Sequence, residues 1–177
     1  TSRLPYNEAE RPMVEFAMTT TMIGYLQEVD DLRLPVFARP DSRTGRYRGK
    51  PYGTADNRPL LDSLSKPGEL VYSPDFKGYI ITYTEIAFIK AEAAARGMIS
   101  GSAASLYEEA VRTSMRQWNI TDNDSLISKY LKKVPYNAGH WKDVIGTQKW
   151  IALYMQGLQS WMERLRLDFK KPGGVPL

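Results

Sequence analysis

Apolar and polar positions follow two regimes along this chain, and the change falls near residue 78. Downstream, the spacing is helical. Tyr107, Ala110, Val111, Ser114, Met115 and Trp118 recur at intervals of three and one, which traces one face of a helix. Glu108, Glu109, Arg112 and Arg116 line the other face, and Ser102 is placed to cap the start. The segment before it, from near Gly78 to Gly97, is apolar on nearly every side. Ile86, Phe88 and Ile89 fill a core, while Ala87, Ala91, Ala94 and Ala95 keep the remaining surface thin. That suits a helix which a neighbour approaches closely. Gly97 is a natural residue to follow its last turn, and Glu92 with Arg96, four apart, are expected to pair on the exposed side. The link MISG is short, so the two helices form an antiparallel hairpin. The pair spans about 34 residues, the period of a tetratricopeptide unit. One such unit does not bury its own face, so neighbouring helices are implied, within this chain or outside it.

A third helix is expected from Asp122–Asp124 to Lys132 or Lys133, with acids at its start and lysines at its end, as the helix dipole favours. Leu126, Ile127, Tyr130 and Leu131 make its apolar face, and Pro135 ends it. PYNAGHW reads as a loop. The last helix is expected to run from about Lys142 or Asp143 to Leu167. Ile151, Tyr154, Met155, Leu158, Trp161, Met162 and Leu165 stripe it, and Trp150 and Leu153 lie on a second side, which predicts a well-buried helix. Gly146 and Gly157 allow close contacts or a bend. Trp118, Trp150 and Trp161 all fall on helical stripes and are expected in the core.

Upstream of residue 78, Pro, Gly, Arg and Tyr are frequent and periodicity is poor. Val14 to Val29 can be helical, although the run Thr19-Thr20-Thr21 weakens it. FARPDSRTGRYRGKPYGTADNRP holds several turn signals and little to bury, so it reads as a long irregular excursion, a kind of segment that is often functional. The fold expected is therefore all-α, with 1–78 loop-rich around one helix, and 79–170 helical around a tetratricopeptide-like hairpin at 79–118.

Composition narrows the chemistry. The 177 residues are 42% hydrophobic and 25% charged, which is enough to form a core. A net charge of +4, read as scattered and mixed with acids, does not make the basic stripe of a nucleic-acid protein. With no cysteine and the single histidine His140, thiolate zinc sites and multi-histidine sites are excluded. No cofactor or metal is expected. No apolar run is long enough to span a bilayer. The ends TSRLPYN and KKPGGVPL read as cuts, which suggests a fragment.

YTEIAFIKAEAAARG followed by SAASLYEEAVRTSMRQW resembles the alanine-rich hairpin of the SusD/RagB family, nutrient-binding outer-membrane lipoproteins of Bacteroidetes. QKWIALYMQGLQSWMERLR is similar to that family's last helix. Gln148, Lys149, Trp150, Trp161, Glu163 and Arg166 fall on its pattern, and Leu165 replaces the first of two arginines. DDLRLP resembles the D-P-R turn at Asp31 and Arg33, with Leu32 for proline, and YRGKPYG resembles a glycine-rich loop at Tyr47, Gly49, Pro51 and Gly53. The resemblance implies the C-terminal part of a single SusD-like domain. The lipid anchor and most tetratricopeptide repeats would lie outside this chain. It implies binding rather than catalysis: capture of an oligosaccharide, or sometimes a peptide, on the outer leaflet, for delivery to a SusC-like TonB-dependent transporter. The alternative is a tetratricopeptide scaffold for another protein.

Candidate ligand groups follow from loop aromatics. Trp141, beside His140 and Tyr136, either stacks a sugar on its indole face or anchors the start of the last helix. Tyr47 and Tyr52, with Arg46, Arg48 and Asn57, either form a ligand surface or pack on the absent amino-terminal half. His140 is expected to hydrogen-bond rather than act as a base. A glycosidase would need two carboxylates about 5–10 Å apart across the scissile bond. Neither Asp30 with Asp31 nor Glu108 with Glu109 is singled out as such a pair, and Glu163 with Arg166 is expected to be a structural ion pair.

Overall fold

A computed structural model describes residues 16–51, 63–120 and 124–170. The chain divides into two compact units, Thr1–Gly78 and Tyr79–Leu177. Among the described residues the regular structure is helical apart from one two-stranded ladder and a single bridge between Thr19 and Lys50, and the all-α expectation holds.

In the first unit, α1 (Thr20–Glu28) starts later than the pattern predicts. Phe16 to Met18 are not helical. The Met18 amide donates to Ser65 O (2.8 Å), Lys50 N donates to Met18 O (2.7 Å) and Thr20 N donates to Lys50 O (3.0 Å). Backbone committed to two neighbouring segments cannot also close helical turns. The threonine run therefore supplies the cap: Thr19 is extended and its hydroxyl accepts from Met22 N. The helix ends in a left-handed Asp30 (φ 49°), with Asp30 N donating to Gln27 O and Asp31 N to Leu26 O. The expected Asp-x-Arg turn follows directly. Both side chains are buried, and the Asp31 carboxylate accepts from Arg33 N (2.9 Å), Nε (2.9 Å) and Nη2 (2.6 Å).

Short elements flank the expected excursion, whose residues 52–59 lie outside the described ones. Before it comes α2 (Leu34–Phe37), carrying Pro35 in its first turn. β1 (Ala38–Arg39) pairs antiparallel with β2 (Lys66–Pro67), and α3 (Glu69–Tyr72) follows. These elements are too short to leave a periodic signature. Gly68 makes the α2 approach possible, since a Cβ there would lie 1.9 Å from Val36 O. Met22, Ile23, Leu26, Phe37 and Val71 are buried, with α1 packed on α2 and α2 on α3.

In the second unit, α4 (Tyr83–Ala95) begins five residues after Gly78, because Thr82 is extended and its hydroxyl caps Glu85 N. Gly97 (φ 72°) closes it, with Met98 N donating to Ala93 O. α5 (Ala103–Gln117) starts on Ser102 as expected, and its whole predicted stripe from Tyr107 to Trp118 is buried. α4 packs along α5, with Ala87, Phe88 and Ala91 buried. The small side chains thus admit a close partner.

α6 (Asp124–Lys133) has a narrower apolar face than predicted: Ile127, Tyr130 and Leu131 are buried, but Leu126 is exposed. The PYNAGHW loop contains a 3-10 turn, Ala138–His140, held by Asn137 Oδ1 accepting from Gly139 N and His140 N. The largest departure is in the last helix. It is two helices, α7 (Trp141–Ala152) and α8 (Gly157–Leu167), separated by a left-handed Met155 (φ 67°). A straight helix would hold Lys149 and Glu163 about 21 Å apart. The break brings Lys149 Nζ to 3.0 Å from Glu163 Oε1. It also lets Phe169 fold back onto Gly146, where a Cβ would lie 2.5 Å from the ring. In consequence Leu158, Trp161, Met162 and Leu165 are 52–71% exposed, against the expectation of a buried stripe with Trp161 in the core. Trp118 is in the core, and Trp150 is only partly covered.

Candidate functional site

Three concave surfaces are lined by described residues, each within one unit. In the first unit a groove of about 510 Å³ is lined by Gln27, Thr44, Arg46, Tyr47 and Arg48. It collects three of the candidate residues, while Tyr52 and Asn57 lie outside the described residues.

A tight turn builds this groove. Buried Asp41 accepts from Arg43 N (3.0 Å), Thr44 N (2.7 Å) and the Thr44 hydroxyl, and its own amide donates to Arg46 O (2.8 Å). Gly45 takes the left-handed conformation (φ 67°) that closes the turn. The Thr44 hydroxyl is the strongest influence on Asp41. Burial opposes it, the backbone amides reinforce it, and together they hold the carboxyl below its usual range. On the far side, Arg48 N donates to the Ser65 hydroxyl (3.0 Å), and Ser65 N to Arg48 O (2.8 Å). Gly49 then passes the start of α1 so closely that a Cβ would lie 2.3 Å from Thr20 N. Arg46, Tyr47 and Arg48 are therefore displayed from a backbone pinned at both ends. Tyr47 is half-buried, and burial pushes its phenol up.

The second unit does not gather Tyr136, His140 and Trp141 into one site. Tyr136 tilts against Tyr107 (5.9 Å between ring centres) and borders a cavity of about 420 Å³ with Arg112, Ser128 and Glu108. Arg112 is already committed there, to Asp124 and to the Ser128 hydroxyl. Trp141 is not part of that lining. It is half-buried, with the Arg96 guanidinium 5.2 Å and the Lys142 ammonium 6.0 Å from its ring centre. His140 is exposed, with Nδ1 3.8 Å from Asp143.

The third cavity, about 410 Å³, adjoins an ion cluster that spacing alone did not reveal. Glu92 is buried rather than exposed. It accepts from Arg96 Nε (2.8 Å) and, through both oxygens, from Arg166 Nη1 (2.6 Å) and Nη2 (2.5 Å). Arg166 also donates to Glu163 (2.6 Å), which Lys149 approaches from α7. Burial raises the Glu92 carboxyl, but the hydrogen bonds and charge of Arg166, then Arg96, outweigh it and hold the group below its usual range. The Glu92 and Glu163 hydrogen bonds drive Arg166 in the opposite direction, upward. Glu92 and Glu163 border one cavity, yet a guanidinium lies between them and bonds to both. That is the arrangement of a structural clamp across α4, α7 and α8, not of two carboxylates flanking a sugar bond. Glu163 and Arg166 thus form the expected ion pair, with Glu92 as the partner the sequence did not show. Gln148 supports the same region by donating from Nε2 to the Tyr130 hydroxyl (2.9 Å).

Residues 2–172 match the SusD-like family described as starch-binding, associating with the outer membrane. Among solved structures, a chitin-binding protein has a TM-score of 0.78 at 24% identity, over 89% of this chain and 38% of its own. A SusD homologue from Bacteroides fragilis has 0.79 at 19% identity, over 93% and 42%. A chitin-binding SusD homologue from Flavobacterium johnsoniae has 0.71 at 21% identity, over 84% and 36%. The chain therefore spans less than half the length of these proteins, and the likeness is one of fold. No curated protein matches the chain.

Proposed function

Because this chain belongs to the SusD-like family, we propose that it captures a glycan at the cell surface without cleaving it, and that the groove around Tyr47 is its contact surface. The groove itself carries this reading. A half-buried phenol ring offers an apolar face to the C–H side of a sugar. Gln27, Thr44 and the two arginines surround it with donors and acceptors for hydroxyl groups. The backbone beneath is held by the Asp41 turn and by Ser65, so little order need be gained on binding. The comparison with chitin-binding relatives supports the ligand class, and the family description supports an outer-membrane setting. Delivery to a SusC-like TonB-dependent transporter, and an outer-leaflet lipid anchor beyond this chain, complete the proposal. Trp141 is a weaker contact candidate, since two cations already lie over its ring.

A second reading is a helical scaffold for another protein. The exposed stripe Leu158, Trp161, Met162 and Leu165 on α8 favours it. Calorimetric titration against neutral and charged oligosaccharides and peptides separates the two. Saturable, non-hydrolytic glycan binding that Tyr47→Ala weakens roughly tenfold, the scale of a lost stacking contact, supports capture. If affinity is unchanged in Tyr47→Ala and in Trp141→Ala, neither ring contacts the ligand. If no glycan binds, the scaffold reading stands.

A further inference from the structure

The charge around Tyr47 is not scattered. Of the ten residues from Asp41 to Lys50, Arg43, Arg46, Arg48 and Lys50 are cationic and Asp41 alone is acidic, a local excess of three in a chain whose net charge is +4. The one acid does not offset the arginines at the groove. Asp41 is buried, and its oxygens are taken up by the amides of Arg43 and Thr44 and by the Thr44 hydroxyl. Among the described residues no carboxylate lines the groove, and neither Arg46 nor Arg48 has an ion-pair partner. Elsewhere among the described residues, Arg33 is committed to Asp31, Arg39 to Glu69, Arg112 to Asp124 and Arg166 to Glu92. Two exposed arginines on either side of a half-buried ring, on a backbone held by the Asp41 turn and by Ser65, form a site with unfilled anion-binding capacity.

Resting on the glycan-capture reading above, we infer that the groove selects an acidic glycan, one whose rings carry carboxylates. The Tyr47 ring would receive the apolar face of one sugar. Arg46 and Arg48 would each meet a carboxylate, through the two parallel N–H donors that a guanidinium presents and an ammonium does not. Gln27 and Thr44 remain for hydroxyl groups. A neutral glycan would leave both charges unanswered, so the preference should be a property of this pair of arginines and not of net charge.

The test is calorimetry on the full chain with three hexaoses: an oligogalacturonate, a malto-oligosaccharide and a chito-oligosaccharide. The uronate is expected to bind at least about tenfold more tightly than either neutral sugar and to weaken as salt is raised. In the double variant Arg46→Ala/Arg48→Ala that preference disappears, with the circular dichroism of the chain unchanged. Arg46→Lys/Arg48→Lys, which keeps the charge but not the fork, also loses most of it. Equal or tighter binding of a neutral sugar, or undiminished uronate preference in the alanine pair, overturns the inference and leaves glycan capture standing. If none of the three sugars binds, the inference falls, and glycan capture is decided by the wider oligosaccharide panel. Full preference in the lysine pair refutes recognition through the guanidinium fork.

Discussion

Gly146 separates the observed fold-back of the last two helices from the single long helix that the residue pattern predicts. In a continuous, solvent-facing helix, Gly146→Ala would stabilise the protein by about 1 kcal/mol, through backbone entropy alone. Here the added methyl meets the Phe169 side chain at 2.5 Å from Cγ and Cδ1 and 2.9 Å from Cβ. Contact with Cβ means that rotating the ring does not clear it. Phe169 is buried, the Arg164 guanidinium lies 5.0 Å over its ring, and Lys170 N donates to Asp143 (2.8 Å), so the tail is anchored on both sides. Overpacking of this kind costs about 2–3 kcal/mol, so a net loss of about 1–2 kcal/mol remains after the propensity gain. Phe169→Gly, which removes Cβ as well as the ring, should cost at least about 3 kcal/mol alone. In that background the clash is gone, and Gly146→Ala should now stabilise by about 1 kcal/mol. The sign of one substitution thus inverts with its neighbour, a coupling that urea denaturation of the four variants measures directly. Stabilisation by Gly146→Ala in the wild-type background would refute the docking of Phe169 on α7.

The ion cluster makes a pH prediction. Because Glu92 titrates below its ordinary value of 4.5 when folded, its contribution is complete above that value and is lost as pH falls from 4.5 toward the lower folded value. Arg166→Met should flatten this loss in urea midpoints recorded between pH 6 and 3, and identical slopes would show that Arg166 does not hold the carboxylate down. The tryptophans should also differ: Trp118→Ala costs about 3–5 kcal/mol, whereas Trp161→Gln changes stability by no more than about 0.5 kcal/mol. Equal losses in thermal denaturation would place Trp161 in the core after all.

What could be read along the chain was what residues close in sequence decide between themselves. Ser102 caps its helix, Gly97 ends one, and the Tyr107–Trp118 stripe is buried as its spacing requires. Each of these depends on contacts three or four residues apart, or on one backbone conformation. Asp31 and Arg33 found each other for the same reason. The candidate groove was half legible: the aromatic, the arginines and the turn signals stood out, and the Asp41 turn closes over three residues, but the Ser65 and α1 contacts that fix them depend on pairings across 17 and 29 residues. The resemblance supplied the family, because ordered motifs over most of the chain survive where single contacts do not.

Tertiary structure decided the rest. An apolar stripe states that a face is uncharged, not that a partner covers it, so Leu158, Trp161 and Leu165 read as core and proved exposed. Gly157, which the pattern allowed as a bend, opens α8, but the left-handed residue is Met155, and that conformation persists while contacts on both sides repay its strain. Phe169 on Gly146 and Lys149 beside Glu163 are those contacts. Glu92 and Arg166 lie 74 residues apart. Nothing local distinguishes that pairing from the visible Glu92–Arg96 pair, and only the return of α8 toward α4 turns a surface carboxylate into a buried, doubly bonded one. Local chemistry set the helices and their caps. Long-range packing, which chooses among many faces of similar polarity, set where they stop, which sides they hide and which charges remain free for a ligand.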